Sequence, residues 1–296
     1  MKKAKLLTTV LTLGLFITPI LSANASTFPQ PVYNNKGQAP FIPATKINLS
    51  ADKSILEIAE ADVTGDGITD TIYLSGHKVQ PTSQYIDDVS VTVKSGADKV
   101  LTTFPLNKVG GYQPHLFIGD FSGDKVPDVY VATASGGSGG WSYYNIVSFK
   151  DKKPKQIFNI QENPNQNITG RFIDGWKVEL TNSSSTKTLA IDISAHKSDY
   201  LRLGIYNEDG VVKRETKTMT APFSKLDPID IDNDGVFELK GVQRISGAYR
   251  ADGLADVETT LKYDGTVWSS QSVKVTVPMD NIDPATSKPT PQPAIS

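Results

Sequence analysis

A chain of 296 residues with 30 basic and 32 acidic side chains and no cysteine has no disulfide framework, no lipid-bearing cysteine and no polybasic surface for nucleic acid. It is rich in Thr, Val, Ile, Tyr, Gly and Asp, in short apolar runs bounded by turn residues, which favours strands over helices.

In chain order, Lys2, Lys3 and Lys5 precede an apolar run over 6–21, and Ala23, Asn24 and Ala25 follow as a small-residue cleavage site. About 16 apolar residues fall short of the roughly 20 that cross a bilayer. Residues 1–25 are therefore expected to be a bacterial-type signal peptide cleaved after Ala25, leaving a secreted, extracellular protein with no membrane association. Without the three signal lysines, 27 basic residues face 32 acidic ones. Residues 26–45, with Pro29, Pro31, Pro40 and Pro43, read as an extended arm. Residues 46–278 read as one β-repeat domain, and 279–296 as a Pro-rich disordered tail.

Within the domain, three nine-residue strings share a pattern: DVTGDGITD at 62–70, DFSGDKVPD at 120–128 and DIDNDGVFE at 230–238. They start 58 and 110 residues apart, and the second interval is close to twice the first. This spacing predicts a fourth unit near Asp174-Gly175 that has lost its acids. Hairpin-like turns at 95–98, 151–154, 207–210 and 264–265 follow the four starts at similar distances. Each unit then reads as strand, Asp loop, strand, long connection, strand, tight turn, strand. Strands are expected at 55–61, 71–75, 89–94, 100–106, 115–119, 128–134, 141–149 and 237–244. The expected fold is all-β, about four antiparallel four-stranded repeats in a propeller-like arrangement.

The Asp loops carry the metal chemistry. Calcium takes six to eight oxygen ligands, and a short loop supplies them at alternate positions. In the third loop these are Asp230, Asp232, Asp234, the Val236 carbonyl and Glu238, with Gly235 at the turn. The first loop offers Asp62, Thr64, Asp66, the Ile68 carbonyl and Asp70, and the second Asp120, Ser122, Asp124, the Val126 carbonyl and Asp128. The helix–loop–helix calcium hand needs a bidentate acid at position 12, where Tyr73, Val131 and Gly241 stand instead. A β-turn needs one Asx side chain, whereas three converging carboxylates repel one another unless a cation lies between them. Charge count ranks the third loop first and the second last, since Lys125 brings an ammonium to its turn.

These loops and their flanking strands resemble the FG-GAP and VCBS-type repeats of extracellular proteins. The resemblance implies calcium-binding loops between the strands of propeller blades, in scaffold and adhesion modules without catalysis. Lys125 at a glycine position, and Thr64 and Ser122 in place of an acid, depart from that pattern.

Other motifs carry less. The run at 136–140 matches G-x-S-x-G, but strand-like residues follow it where a nucleophile elbow needs a helix. His77, His115 and His196 have no zinc-site spacing, and His115 reads as a packed strand residue. Trp141, Tyr143, Tyr144, Tyr249 and Arg250, on long connections, are candidates for a binding rim or for packing over the strands. The chain is expected to be a non-enzymatic binding or scaffold module, its partners calcium ions and envelope polysaccharide or an extracellular protein. The alternatives are a secreted hydrolase and a structural protein of the cell or spore surface.

Overall fold

The computed structural model describes residues 53–278, apart from 108, 138–139, 160–167 and 184. The signal peptide, arm and tail expected at 1–25, 26–45 and 279–296 lie outside these residues. So do Ser138 and Gly139 of the glycine run.

The described chain is all-β with antiparallel sheets. Strands β1 (Lys53–Ala61), β2 (Asp70–His77), β3 (Tyr85–Lys94) and β4 (Leu101–Pro105) pair in sequence as a meander. A second meander follows: β5 (Gly111–Gly119), β6 (Asp128–Ala134), β7 (Ser142–Ser148) and β8 (Lys155–Asn159). The third group has three strands, β9 (Ile168–Ile173), β10 (Lys177–Asn182) and β11 (Thr188–Asp192), then the short helix α1 (Lys197–Arg202). After the two-residue β12 (Met219–Thr220) comes a last meander: β13 (Lys225–Ile229), β14 (Glu238–Ser246), β15 (Gly253–Tyr263) and β16 (Trp268–Thr276).

Alternation along the strands fixes how these sheets stack. Ile72, Leu74, Val89, Val91 and Val93 of the first meander share a core with Val129, Val131 and Val147 of the second. The opposite face of the second, with Tyr130, Ala132, Tyr144 and Ile146, packs on Leu226, Leu239, Leu261 and Tyr263 of the last. Further along the same face of that last sheet, Ile245 and Val257 pack with Phe172, Val178, Leu180 and Ile191 of the third group and Tyr200 of α1. The second meander is thus apolar on both faces, which explains unbroken runs such as Val129-Tyr130-Val131-Ala132, whereas β14 and β15 alternate and bury one face.

The expected propeller-like arrangement of about four four-stranded units is corrected by this order. Blades of a propeller follow one another around a ring, but here the second meander packs on the last, and the third group packs on the last as well. Among the described residues the third group has three strands and no fourth. Its turn at 207–210 closes only an isolated Tyr206–Val212 bridge. Moreover, β3 pairs with β4 through Ser90–Lys94 and with β5 at Tyr85 and Ile86, so the first two meanders join in one eight-stranded sheet.

Candidate metal-binding loops and the opposite face

Each Asp string joins the first two strands of a meander, and all three loops have the same internal bonding. The position-1 acid accepts amides from the loop's centre. Asp62 accepts from Gly65, Asp66 and Gly67, Asp120 from Gly123 and Lys125, and Asp230 from Asp234 and Gly235, at 2.7–3.2 Å. The position-5 acid accepts the amide two residues on: Asp66 from Ile68, Asp124 from Val126 and Asp234 from Val236, at 2.8–3.0 Å. The position-9 acid is buried and reaches back to the loop's start. Asp70 accepts from Val63 and Thr64, Asp128 from Phe121 and Ser122, and Glu238 from Ile231. The pattern has a cause that needs no ion, because a tight loop leaves amides without strand partners and carboxylates are the strongest neutral-pH acceptors for them.

The loops lie side by side. Val126 of the second packs against Gly65 of the first, and Val236 of the third lies beside Gly123 of the second. Asp120 bridges to Val236, and its carbonyl accepts from the Phe237 amide at 2.7 Å. The Asp151 amide donates to the Thr64 carbonyl at 3.0 Å. Gly96, in the β3–β4 turn, donates to Asp70 Oδ1 with its α-carbon so close to the Thr69 carbonyl that no side chain fits.

Lysines pair with acids of the second and third loops and of the β3–β4 turn. Lys150 Nζ bonds Asp124 at 2.9 Å, and Lys262 Nζ bonds Glu238 at 2.5 Å. Lys152 bonds Asp98, whose carboxyl is held down at about 2, chiefly by that hydrogen bond. The ammonium that meets the second loop is therefore Lys150, from the following turn. Lys125 is exposed with φ 68°, serving as the left-handed turn residue in the place Gly67 and Gly235 hold elsewhere.

For calcium the three loops differ. The oxygens of Asp230, Asp232 and Asp234 lie within 4.8 Å of one another, and this is the one such acidic group among the described residues. Asp232 makes no hydrogen bond to a described side chain or amide, so its carboxylate is uncommitted. In the first loop the Thr64 hydroxyl is buried without a partner, and in the second Asp128 Oδ1 is. Ser122 donates weakly to Asp120 at 3.4 Å. Burial pushes the Asp128 carboxyl up to about 6, despite the amides it accepts and the nearby Ser148 hydroxyl, which closes no hydrogen bond of normal geometry. The third loop thus fits a cation best, and in the second Lys150 already neutralises Asp124.

The predicted aromatic rim is only partly a rim. Tyr144 is buried, its hydroxyl donating to Ser224 O at 3.1 Å, and Tyr249 donates to Asp199 of α1 at 2.8 Å. Arg250 is exposed. Trp141 and Tyr143 are half-buried and meet edge to face, 4.8 Å between ring centroids. The glycine run joins strands β6 and β7, so no strand-to-helix elbow exists there. His77 pairs with Asp87 at 2.7 Å, His115 lies edge-on to Tyr130, and His196 is exposed. Sequence reasoning passed over Tyr85 and Tyr112, exposed and in edge-to-face contact at the end of the meanders opposite the Asp loops. A glycine whose φ is 74°, Gly136, lies directly against the Tyr112 ring.

Residues 166–276, the third group and last meander, match the family described as the YybI C-terminal domain. The uncharacterised protein YybI of Bacillus subtilis (strain 168) is 33% identical over 228 residues, covering 77% of this chain and 86% of that protein. The chain belongs to the YybI family. No solved structure matches it. The resemblance to FG-GAP and VCBS-type repeats is corrected by this membership: three nine-residue loops matched a local solution to loop bonding and did not specify the family.

Proposed function

We propose that this member of the YybI family is a secreted, calcium-stabilised β protein that acts as a non-enzymatic binding or scaffold module at the cell envelope or outside the cell. The observation that carries the calcium part is the convergence of Asp230, Asp232 and Asp234 within 4.8 Å at one exposed loop. Those three carboxylates, with the Val236 carbonyl, would hold the ion, and Glu238 would keep its place as the buried acceptor behind them. A cation there neutralises three like charges that otherwise repel. It adds stability according to its occupancy, about 2.7 kcal/mol at a hundredfold excess over the dissociation constant.

The binding part draws support from the division of labour between the two ends of the meanders. The Asp loops use most of their polar groups internally, whereas the opposite strand ends leave Tyr85 and Tyr112 exposed and Trp141 and Tyr143 half-exposed. Envelope polysaccharide or an extracellular protein is the partner class for such a face. Calorimetry and thermal unfolding of the chain from residue 26, with calcium and with chelator, test the calcium part. One strong site and a melting point several degrees higher with calcium are expected; no heat of binding and superimposable melting curves would refute it. Fractionation of the native host tests the location: the protein is expected in medium or envelope extracts, and recovery solely from cytosol would refute that part.

A further inference from the structure

A cleft of about 720 Å³ opens at the long-connection end of the first two meanders. It exists because three strands bordering it are each interrupted. β1 carries an extra residue between Ile55 and Glu57, which is Leu56. β3 carries one opposite Ser75–His77, with Asp88 at φ 49°. β5 carries one between Tyr112 and His115, with Gln113 at φ 49°. Bulges of this kind bend strands and re-aim side chains, and they concentrate at the rims of sheets and next to sites. A non-glycine residue held at positive φ costs of order 1–3 kcal/mol and persists where the surroundings impose it. Leu56 and Gln113 both line the cleft.

The lining has a definite chemistry. Thr82, Ser83, Gln84 and Gln113 offer hydroxyls and amides, which both donate and accept. Tyr112 contributes a ring that is 37% exposed, backed by Gly136 and propped by Tyr85 at 5.5 Å. Lys78 brings a cation, and among the described residues no carboxylate lines the cleft. The acids of the bordering strands are engaged elsewhere. Asp88 pairs with Lys53 at 2.8 Å, Asp87 with His77 at 2.7 Å, and Glu57 accepts the Leu116 amide at 2.8 Å. A flat aromatic surface among neutral two-way hydrogen-bonding groups suits a polyhydroxylated ring, and the lone cation selects an acidic one. A peptide strand would instead need a regular free sheet edge; β3 and β5 spend theirs on each other at Tyr85–Tyr112 and Ile86–Gly111, and the edge strand β1 is broken at Leu56 where it borders the cleft.

We propose that this cleft binds a glycan chain bearing acidic substituents, with a sugar ring on Tyr112 and its anionic group toward Lys78. This rests on the binding-module reading above and names the ligand class for it. The test is calorimetry of the folded protein with hexagalacturonate, with chitohexaose as the neutral glycan and hexaglutamate as the acidic peptide. Hexagalacturonate is expected to bind most tightly, and Tyr112→Ala to weaken it tenfold or more, while Tyr112→Phe retains binding and reports that the site is still folded. Lys78→Gln is expected to weaken binding and flatten its salt dependence. Absence of binding to hexagalacturonate, equal binding of hexaglutamate or chitohexaose, or unchanged affinity in Tyr112→Ala would each overturn the proposal. Capture of envelope polysaccharide by wild type and Tyr112→Ala alike would overturn the cleft and leave the module reading standing.

Discussion

Asp128 and Asp70 occupy the same position in successive loops, are both fully buried, and should respond oppositely to the same substitution. Asp70 accepts amides on both oxygens, from Val63 and Thr64 on one and Gly96 on the other. Asp128 accepts on Oδ2 alone, and its Oδ1 is buried without a partner. Burial raises its carboxyl from 3.8 to about 6. Below pH 3.8 it is protonated in both folded and unfolded chains and favours neither. Between these values the folded state holds the proton more tightly, so stability falls as pH rises, and above about 6 the loss is complete. A rise of this size corresponds to about 3 kcal/mol. Asp128→Asn removes the charge and keeps an oxygen for the Phe121 and Ser122 amides. In chelator, urea unfolding from pH 3.5 to 7.5 should show the variant gaining about 3 kcal/mol on wild type across that window. Parallel stability curves for the two proteins would refute the reasoning, since the buried charge would then cost nothing.

Asp70→Asn should destabilise by about 2–3 kcal/mol at pH 7, because an amide cannot accept on both sides and one set of backbone donors loses a charged acceptor; urea unfolding reads it directly. Tyr200 donates to both oxygens of Asp252 at 2.9 Å, the residues being 0% and 3% exposed. Tyr200→Phe should therefore cost about 1.5–3 kcal/mol, with a double-mutant cycle against Asp252→Asn showing strong coupling. Asp232→Asn should lower calcium affinity tenfold or more in calorimetry while leaving the melting point in chelator unchanged or slightly higher, since Asp232 bonds to no described group and its charge repels Asp230 and Asp234.

The parts of the fold legible in the sequence were those set by local chemistry. The Asp strings announce loops, the turns at 95–98 and 264–265 close β3–β4 and β15–β16, and the predicted strand at 128–134 is β6. Order in space was not legible. The alternation in β6 says that both faces are covered, with Val129 and Val131 on one and Tyr130 and Ala132 on the other, but any apolar sheet satisfies that requirement. Nothing in the spacing says that β14 and β15, rather than β9 and β10, lie across from Tyr130. The propeller and its family were inferred from periodicity that the three loops do possess. Yet acids at positions 1, 5 and 9 answer the amides of any loop of this length, so the pattern carries less family information than its regularity suggests. The cleft was hidden for a related reason. Leu56, Asp88 and Gln113 are unremarkable in a strand until the register on each neighbour is known.

The Asp loops and the cleft sit at opposite ends of the same meanders, and this separation has a mechanical consequence. At the loop end the sheets are clamped by direct links: Val126 on Gly65, Asp151 on Thr64, Lys152 on Asp98 and Asp120 on Val236. At the other end three bulges take β1, β3 and β5 out of regular register and hold Asp88 and Gln113 in costly backbone states. Strands released from regular pairing at both ends would slip, because register is specified by the buried face and by the turns alone. Fixed at the loop end, the same strands can diverge at the other without losing register. The loops that first suggested a metal thus tie the sheets together at the end away from the cleft.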